Sequence, residues 1–251
     1  MKMVRILIVF LFISGLRLFA FDKIKDIETP EGYSRINYQK GSYSDYLQNL
    51  PLKSDNIILE WDGSRLQSSW LLYDVFAVVD KPLLFKADLE QCADFSMRFW
   101  ADYHKENNKL DKLYLFNYQG QKIYFKDSLK PYKKYLRWHM VYSNSYSIKK
   151  GAKKISDEEK LHPGDMFVQN KGGGIGHVSV IVDTAENRIG ERVYLIGFSY
   201  IPAQEFHIEK ADNDYGRGGW FTKQGFMDFL SGDQFNRFGK AVLRRFEYTN
   251  E

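Results

Sequence analysis

The chain has 251 residues, 44% hydrophobic, 16% aromatic and 27% charged, with a single cysteine, which excludes an intrachain disulfide. The formal charge of +4 falls to +1 once Lys2, Arg5 and Arg17 are set aside, so charge alone gives no case for binding nucleic acid.

The chain opens with "MKMVRILIVFLFISGLRLFA": a basic start at Lys2 and Arg5, an apolar run from Ile6 to Ile13, and a small residue at Ala20. This is the pattern of a secretory signal peptide, and the run is shorter than the ~20 apolar residues that a spanning helix needs. The expectation is export to the periplasm or the exterior, with residues 1–20 removed and no stable membrane span after cleavage. Arg17 and Leu18 make the cleavage site imperfect, which leaves an uncleaved N-terminal anchor as the alternative. Residues 21–251 contain no repeat, no low-complexity stretch and no Pro/Gly linker, and read as one domain with an N-terminal β lead-in.

"YSDYLQNLPLK" predicts a short helix ended by Pro51, and "NIILEWDG" and "WLLYDVFAVVD" predict two strands. "ADLEQCADFSMRFWADYHKEN" predicts a long helix from residue 89 to about 106, capped by Asp88 with Gln91 completing a capping box. Leu89, Cys92, Ala93, Ser96, Phe99, Trp100 and Tyr103 fall on one stripe at helical spacing, which puts Cys92 in the first turn and inward. "YLFNYQGQKIYF" predicts a hairpin about Gln119 and Gly120, and "PYKKYLRWHMVYSN" a helix begun by Pro131. The lysine-rich "IKKGAKKISDEEK" reads as a solvated connector. Strands follow at "DMFVQN", "HVSVIVD", "RVYLIGFSY" and "QEFHIE", then a short helix at "TKQGFMDFL" and a last strand at "AVLRRFEY". Helices precede strands, so the expected class is α+β with a mostly antiparallel sheet.

A cysteine in the first turn of a helix meets unpaired N–H groups and the positive end of the dipole, both of which favour the thiolate. A nucleophile also needs a base within reach. His177, opening an apolar strand after the glycines of "GGGIGH", is the best placed of five histidines; His104 reads as surface, and His139, His162 and His207 as structural. The plain alternative for Cys92 is a small buried hydrophobe. Gln91 could support an oxyanion with the Cys92 N–H, or serve only as a cap. Asp165 and Asp183 read as turn residues at strand ends. No His, Cys, Asp and Glu group has zinc-ligand spacing and no "GxxxxGK" loop occurs, so no metal and no cofactor are expected.

"QCADFSMRF", "LHPGDMFVQN" and "GHVSVIVD" together resemble, in order and character, the NlpC-type papain-like cysteine peptidases of bacterial cell walls, over residues 85 to 210. "CADF" stands where that family usually has "CSGF". "YLQNLPLK", "QCADFSMRF", "GHVSVIVD", "YIPAQEFHI" and "GGWF" are similar to a family of exported bacterial proteins of unknown function, along nearly the whole chain. The first resemblance implies a papain-like α+β fold, with Cys92 as nucleophile and His177 as general base acting on cell-wall peptide or a related envelope amide. The residue that orients the imidazole would lie on "RVYLIGFSY", where this chain has Phe198, a side chain that cannot do so. Gln204 in "PAQEF" ranks first as its substitute and Ser199 second; a turn-capping role is the other reading of Gln204. The rival function is a non-catalytic envelope binding or structural protein on the same fold.

Overall fold

The computed structural model describes residues 21–66, 74–156 and 158–247. The signal-peptide expectation and the first four residues of "WLLYDVFAVVD" lie outside them.

The helices form where caps and apolar residues coincide. Helix α1, Tyr43–Gln48, starts at Ser42, whose Oγ accepts the Asp45 N–H at 3.2 Å. Helix α2 is Cys92–Glu106, and thirteen of its residues are buried, so it is a core helix rather than an amphipathic surface one. Its start corrects the expected one. Gln91 is the N-cap, and Asp94 accepts the Gln91 N–H at 2.9 Å, whereas Asp88 accepts instead from the Gln91 side chain at 3.0 Å and from the Ala203 N–H at 2.7 Å. His104 is also corrected: it is buried, with Nδ1 2.7 Å from the Trp100 carbonyl and its ring 4.2 Å from the Trp100 ring. Helix α3, Tyr132–Tyr142, follows Pro131 as expected.

Helix α4, Ser145–Gly151, replaces the connector expected there. Asn144 caps it by accepting from Tyr146 at 2.8 Å, Ile148 is buried, and Lys149 donates to the Asn170 carbonyl at 2.7 Å. The last helix, α5, is Lys223–Leu230.

A ten-stranded antiparallel sheet takes strands from β1 (Tyr33–Arg35) to β12 (Val242–Arg245), so the N-terminal segment and the C-terminal strand share one sheet. Its centre is β6 (Asp165–Gln169), β7 (His177–Asn187) and β8 (Arg192–Phe198). Beyond β8 lie β9 (His207–Glu209), which carries β2 (Val75–Val78), and β11 (Trp220–Phe221), which pairs with β10 (Gly216–Arg217). Beyond β6 lie β12 and then β5 (Lys153–Lys154). The predicted hairpin is a separate two-stranded sheet of β3 (Tyr114–Phe116) and β4 (Lys122–Tyr124). "NIILEWDG" makes only isolated bridges, Leu59 with Arg65 and Glu60 with Gln204, because it hooks onto the 203–205 segment rather than joining the sheet.

The two faces of the sheet are both covered. Val178, Val180 and Val182 of β7 join the core beneath α1 and α2, while Ile181 joins a second core with Phe198, Phe226, Phe235 and Phe238. The class is therefore α+β. Among the described residues no helix is long and apolar enough to cross a membrane.

Candidate functional site

Cys92 is the first residue of α2, and its side chain reaches the backbone at the head of β7. The thiol lies 3.9 Å from the Gly176 carbonyl and accepts the N–H of Val178, the residues on either side of His177. The sequence pieces "QCAD" and "GHVSVIVD" do meet. Burial dominates the thiol's electrostatics and pushes it up to about 12; neighbouring Asp94 pushes the same way, and the backbone hydrogen bonds only partly oppose.

The imidazole turns the other way. His177 alternates with Val178, so its ring enters the second core, 5.0 Å from Phe198, 4.7 Å from Phe235 and 6.1 Å from Phe238. No hydrogen bond joins it to the Cys92 thiol: Nε2 lies 3.0 Å from the Ser179 Oγ, and Nδ1 has no hydrogen-bond partner. Burial, helped by His207, pushes the ring down to about 3. Both groups are neutral near pH 7, so no thiolate–imidazolium pair forms in this arrangement.

The proposed orienting contact is not made. Gln204 is buried but does not bond either ring nitrogen of His177; its carbonyl accepts the Ser199 hydroxyl at 2.7 Å. Phe198 covers the imidazole instead, and the residue at hydrogen-bond distance is Ser179, two positions along the same strand. The "HVS" alternation places Ser179 beside His177, a signal that the sequence carries.

Gln91 is held as a cap and reaches Asp88, yet it also lines a cleft of about 460 Å³ at the start of α2. Cys92 and Asp94 share that cleft with Asn144 and Ser145 of the α4 cap, and His177 is not among its lining residues. Asp94 is the site residue that sequence reasoning missed, although "QCAD" places it one turn into the helix. Its Oδ1 is buried without a hydrogen-bond partner, and burial, with Glu90 adding to it, holds its carboxyl well above the ordinary range. Leu89, Val141, Ile175 and Ile201 make the wall apolar, and among the described residues no Lys, Arg or His lines it.

Asp165 fixes the turn it was expected to fix, accepting the His162 N–H at 2.9 Å and pairing with Arg245. Asp183 does not end its strand. It lies within β7, buried, and binds Arg35 at 2.7 Å and the Gln48 amide at 2.5 Å. Among the described residues no group of three or more His, Cys, Asp or Glu could hold a metal ion.

The glycine loop is a fixed wall of the cleft. Gly173 has φ of 94°, its N–H donates to Asn170 at 2.7 Å, and its carbonyl accepts from Tyr118 and Asn144. A Cβ on Gly176 would stand 2.2 Å from the Gln169 carbonyl, whereas one on Gly174 would meet open space. Gly176→Ala should therefore cost about 3 kcal/mol or more and Gly174→Ala under about 1 kcal/mol. Urea denaturation checks both, and equal small losses would show that the Gly176 packing is not as described.

Residues 24–130 and 125–245 match the model of a family described as Domain of unknown function (4846). No curated protein and no solved structure matches the chain.

Proposed function

We infer, for a chain that belongs to that family of unknown function, that it is an exported envelope protein which binds rather than cleaves. On this reading the fold is a papain-like scaffold in which Cys92 and His177 keep their places without forming a catalytic pair. The observation that carries it is the division of the two groups: the thiol lines the cleft, and the imidazole is sealed in the core behind it. A cleft with apolar walls, the Asp88 and Asp94 carboxyl groups and no basic side chain among its described lining residues suits a peptide segment that is apolar or carries an amine, as cell-wall stem peptides do at their diamino acid. Export rests on the leader-like residues 2–20, and the scaffold on the order of "QCAD", "HPGD" and "GHVSVIVD" together with α2 packed on β7.

One observation favours a second reading, a cysteine hydrolase: Cys92 begins a fifteen-residue helix in the wall of a cleft, where a thiol would attack a bound carbonyl. Cys92 would then be the nucleophile, His177 the proton shuttle, and Gln91 with the Cys92 N–H the oxyanion support. The ring would first have to leave Phe198 and Phe235.

Calorimetry with soluble muropeptides released from digested cell wall, followed by mass analysis of the fragments, tests the binding reading. It expects saturable binding, weakened about tenfold by Ile175→Lys at the exposed rim, with every fragment unchanged in mass. Fragments cleaved by the parent protein and spared by Cys92→Ala would establish the second reading instead, and no saturable binding would remove the first.

A further inference from the structure

Leu129 stands 96% exposed in the short loop between β4 and α3, and its φ is 53°. A large side chain left in water is ordinary by itself, but a leucine in the left-handed region is not: glycine or asparagine would sit there at lower cost. The surrounding charge is one-sided. Residues 126–137 hold Lys126, Lys130, Lys133, Lys134 and Arg137 against Asp127 alone. None of these five cations pairs with a carboxylate among the described residues; Lys130 lies over the Trp138 ring at 5.8 Å, and Lys133 and Arg137 over Phe85 at 5.2 and 5.7 Å. Lys133 and Lys134 moreover occupy the first turn of α3, which holds no acid and where the helix dipole disfavours positive charge. The outer face of α3 continues with exposed Val141 and Tyr142, and the Tyr142 ring packs 5.3 Å from Trp138.

We propose that this loop and the outer face of α3 dock on an anionic lipid surface, with Leu129 entering the headgroup layer and the lysines and Arg137 facing the lipid phosphates. Charge selects the partner: a row of cations with no carboxylate partner among the described residues, around an apolar tip and with an interfacial tryptophan and tyrosine beside it, matches a negatively charged bilayer and not a neutral one. Two locally unfavourable choices, a strained leucine and cations at a helix start, coincide at this one place, as they do where a segment serves a surface outside the fold. Helix α3 also gives Met140 and Val141 to the cleft, so docking brings one wall of that cleft to the membrane plane.

The test is co-sedimentation of the protein, as purified from cells expressing the full chain, with vesicles of phosphatidylglycerol and phosphatidylcholine and with vesicles of phosphatidylcholine alone. The ratio of the two partition coefficients is the readout, which cancels any charge-independent contribution of residues 1–20. The expected ratio is on the order of a hundredfold at low salt and falls steeply as salt is raised. Neutralising Lys130, Lys133 and Lys134 together to Gln should remove most of it. Leu129→Gly should lower binding to the anionic vesicles about tenfold while leaving the melting temperature equal or higher, because the left-handed backbone is then unstrained. A ratio near one, or a ratio unchanged by the three lysine substitutions, overturns the proposal. Binding to the anionic vesicles that depends on the lysines but not on Leu129 overturns it too, since that is the behaviour of a general polyanion site.

Discussion

Arg98→Met should destabilise the protein by about 3 kcal/mol or more, because it leaves a carboxylate buried without its cation. Glu90 is fully buried, accepts the Leu84 N–H at 2.7 Å, and is bonded by the Arg98 guanidinium, which also lies 3.4 Å from Asp102. Burial already raises the Glu90 carboxyl despite Arg98, so the variant would meet the loss by taking up a proton. The pair ties the 84–91 loop to α2 and so sets where Gln91 and Cys92 stand. Glu90→Gln combined with Arg98→Met should recover most of the loss, since the amide oxygen still accepts the Leu84 N–H and the unpaired buried carboxylate is gone. Urea denaturation of the two variants against the parent checks it; equal stability of Arg98→Met and the parent would mean the guanidinium contributes nothing.

The second large effect is on pH dependence. His177 titrates near 3 in the fold against about 6.5 unfolded, so the unfolded chain takes up the proton first as pH falls. Its contribution is full above pH 6.5 and is lost progressively as pH falls toward 3, on the order of 3 kcal/mol by pH 4. The raised carboxyls of Asp94, Asp183, Glu90 and Glu209 act with the opposite sign: their contribution is present at low pH and is lost as pH rises through their folded values. The difference between the parent and His177→Phe isolates the histidine, since phenylalanine fits among Phe198, Phe235 and Phe238. The parent's unfolding free energy should fall more steeply than the variant's between pH 6.5 and 4. Parallel curves would place the imidazole in solvent rather than in the core.

The long helix with Cys92 in its first turn was readable because an apolar stripe and a polar cap coincide there, and the β3–β4 hairpin because Gly120 marks the turn between alternating strands. Helix α4 was hidden by its lysines, which suggest solvent although Ile148 just before them is buried and Asn144 makes the cap. The side that His177 takes was not readable from the strand pattern. In "HVSVIVD" both faces of the strand are apolar or small, so period-two alternation separates His177, Ser179 and Ile181 from Val178, Val180 and Val182 without telling which set meets α2. The mismatch at Phe198 was the one local clue: an aromatic ring where an orienting amide belongs implies an imidazole packed rather than poised.

Cys92 is a protonated thiol, unlinked to His177, in the wall of the cleft. Because Cys92 is the only cysteine, its alkylation by iodoacetamide across pH 5 to 11 reads that one group without ambiguity. Slow reaction is expected at pH 7 with a rate still climbing at pH 10, in line with a thiol pushed up to about 12, and the same profile in His177→Phe. A fast rate that is already level at neutral pH and is lost in His177→Phe would contradict it, and would identify an activated cysteine.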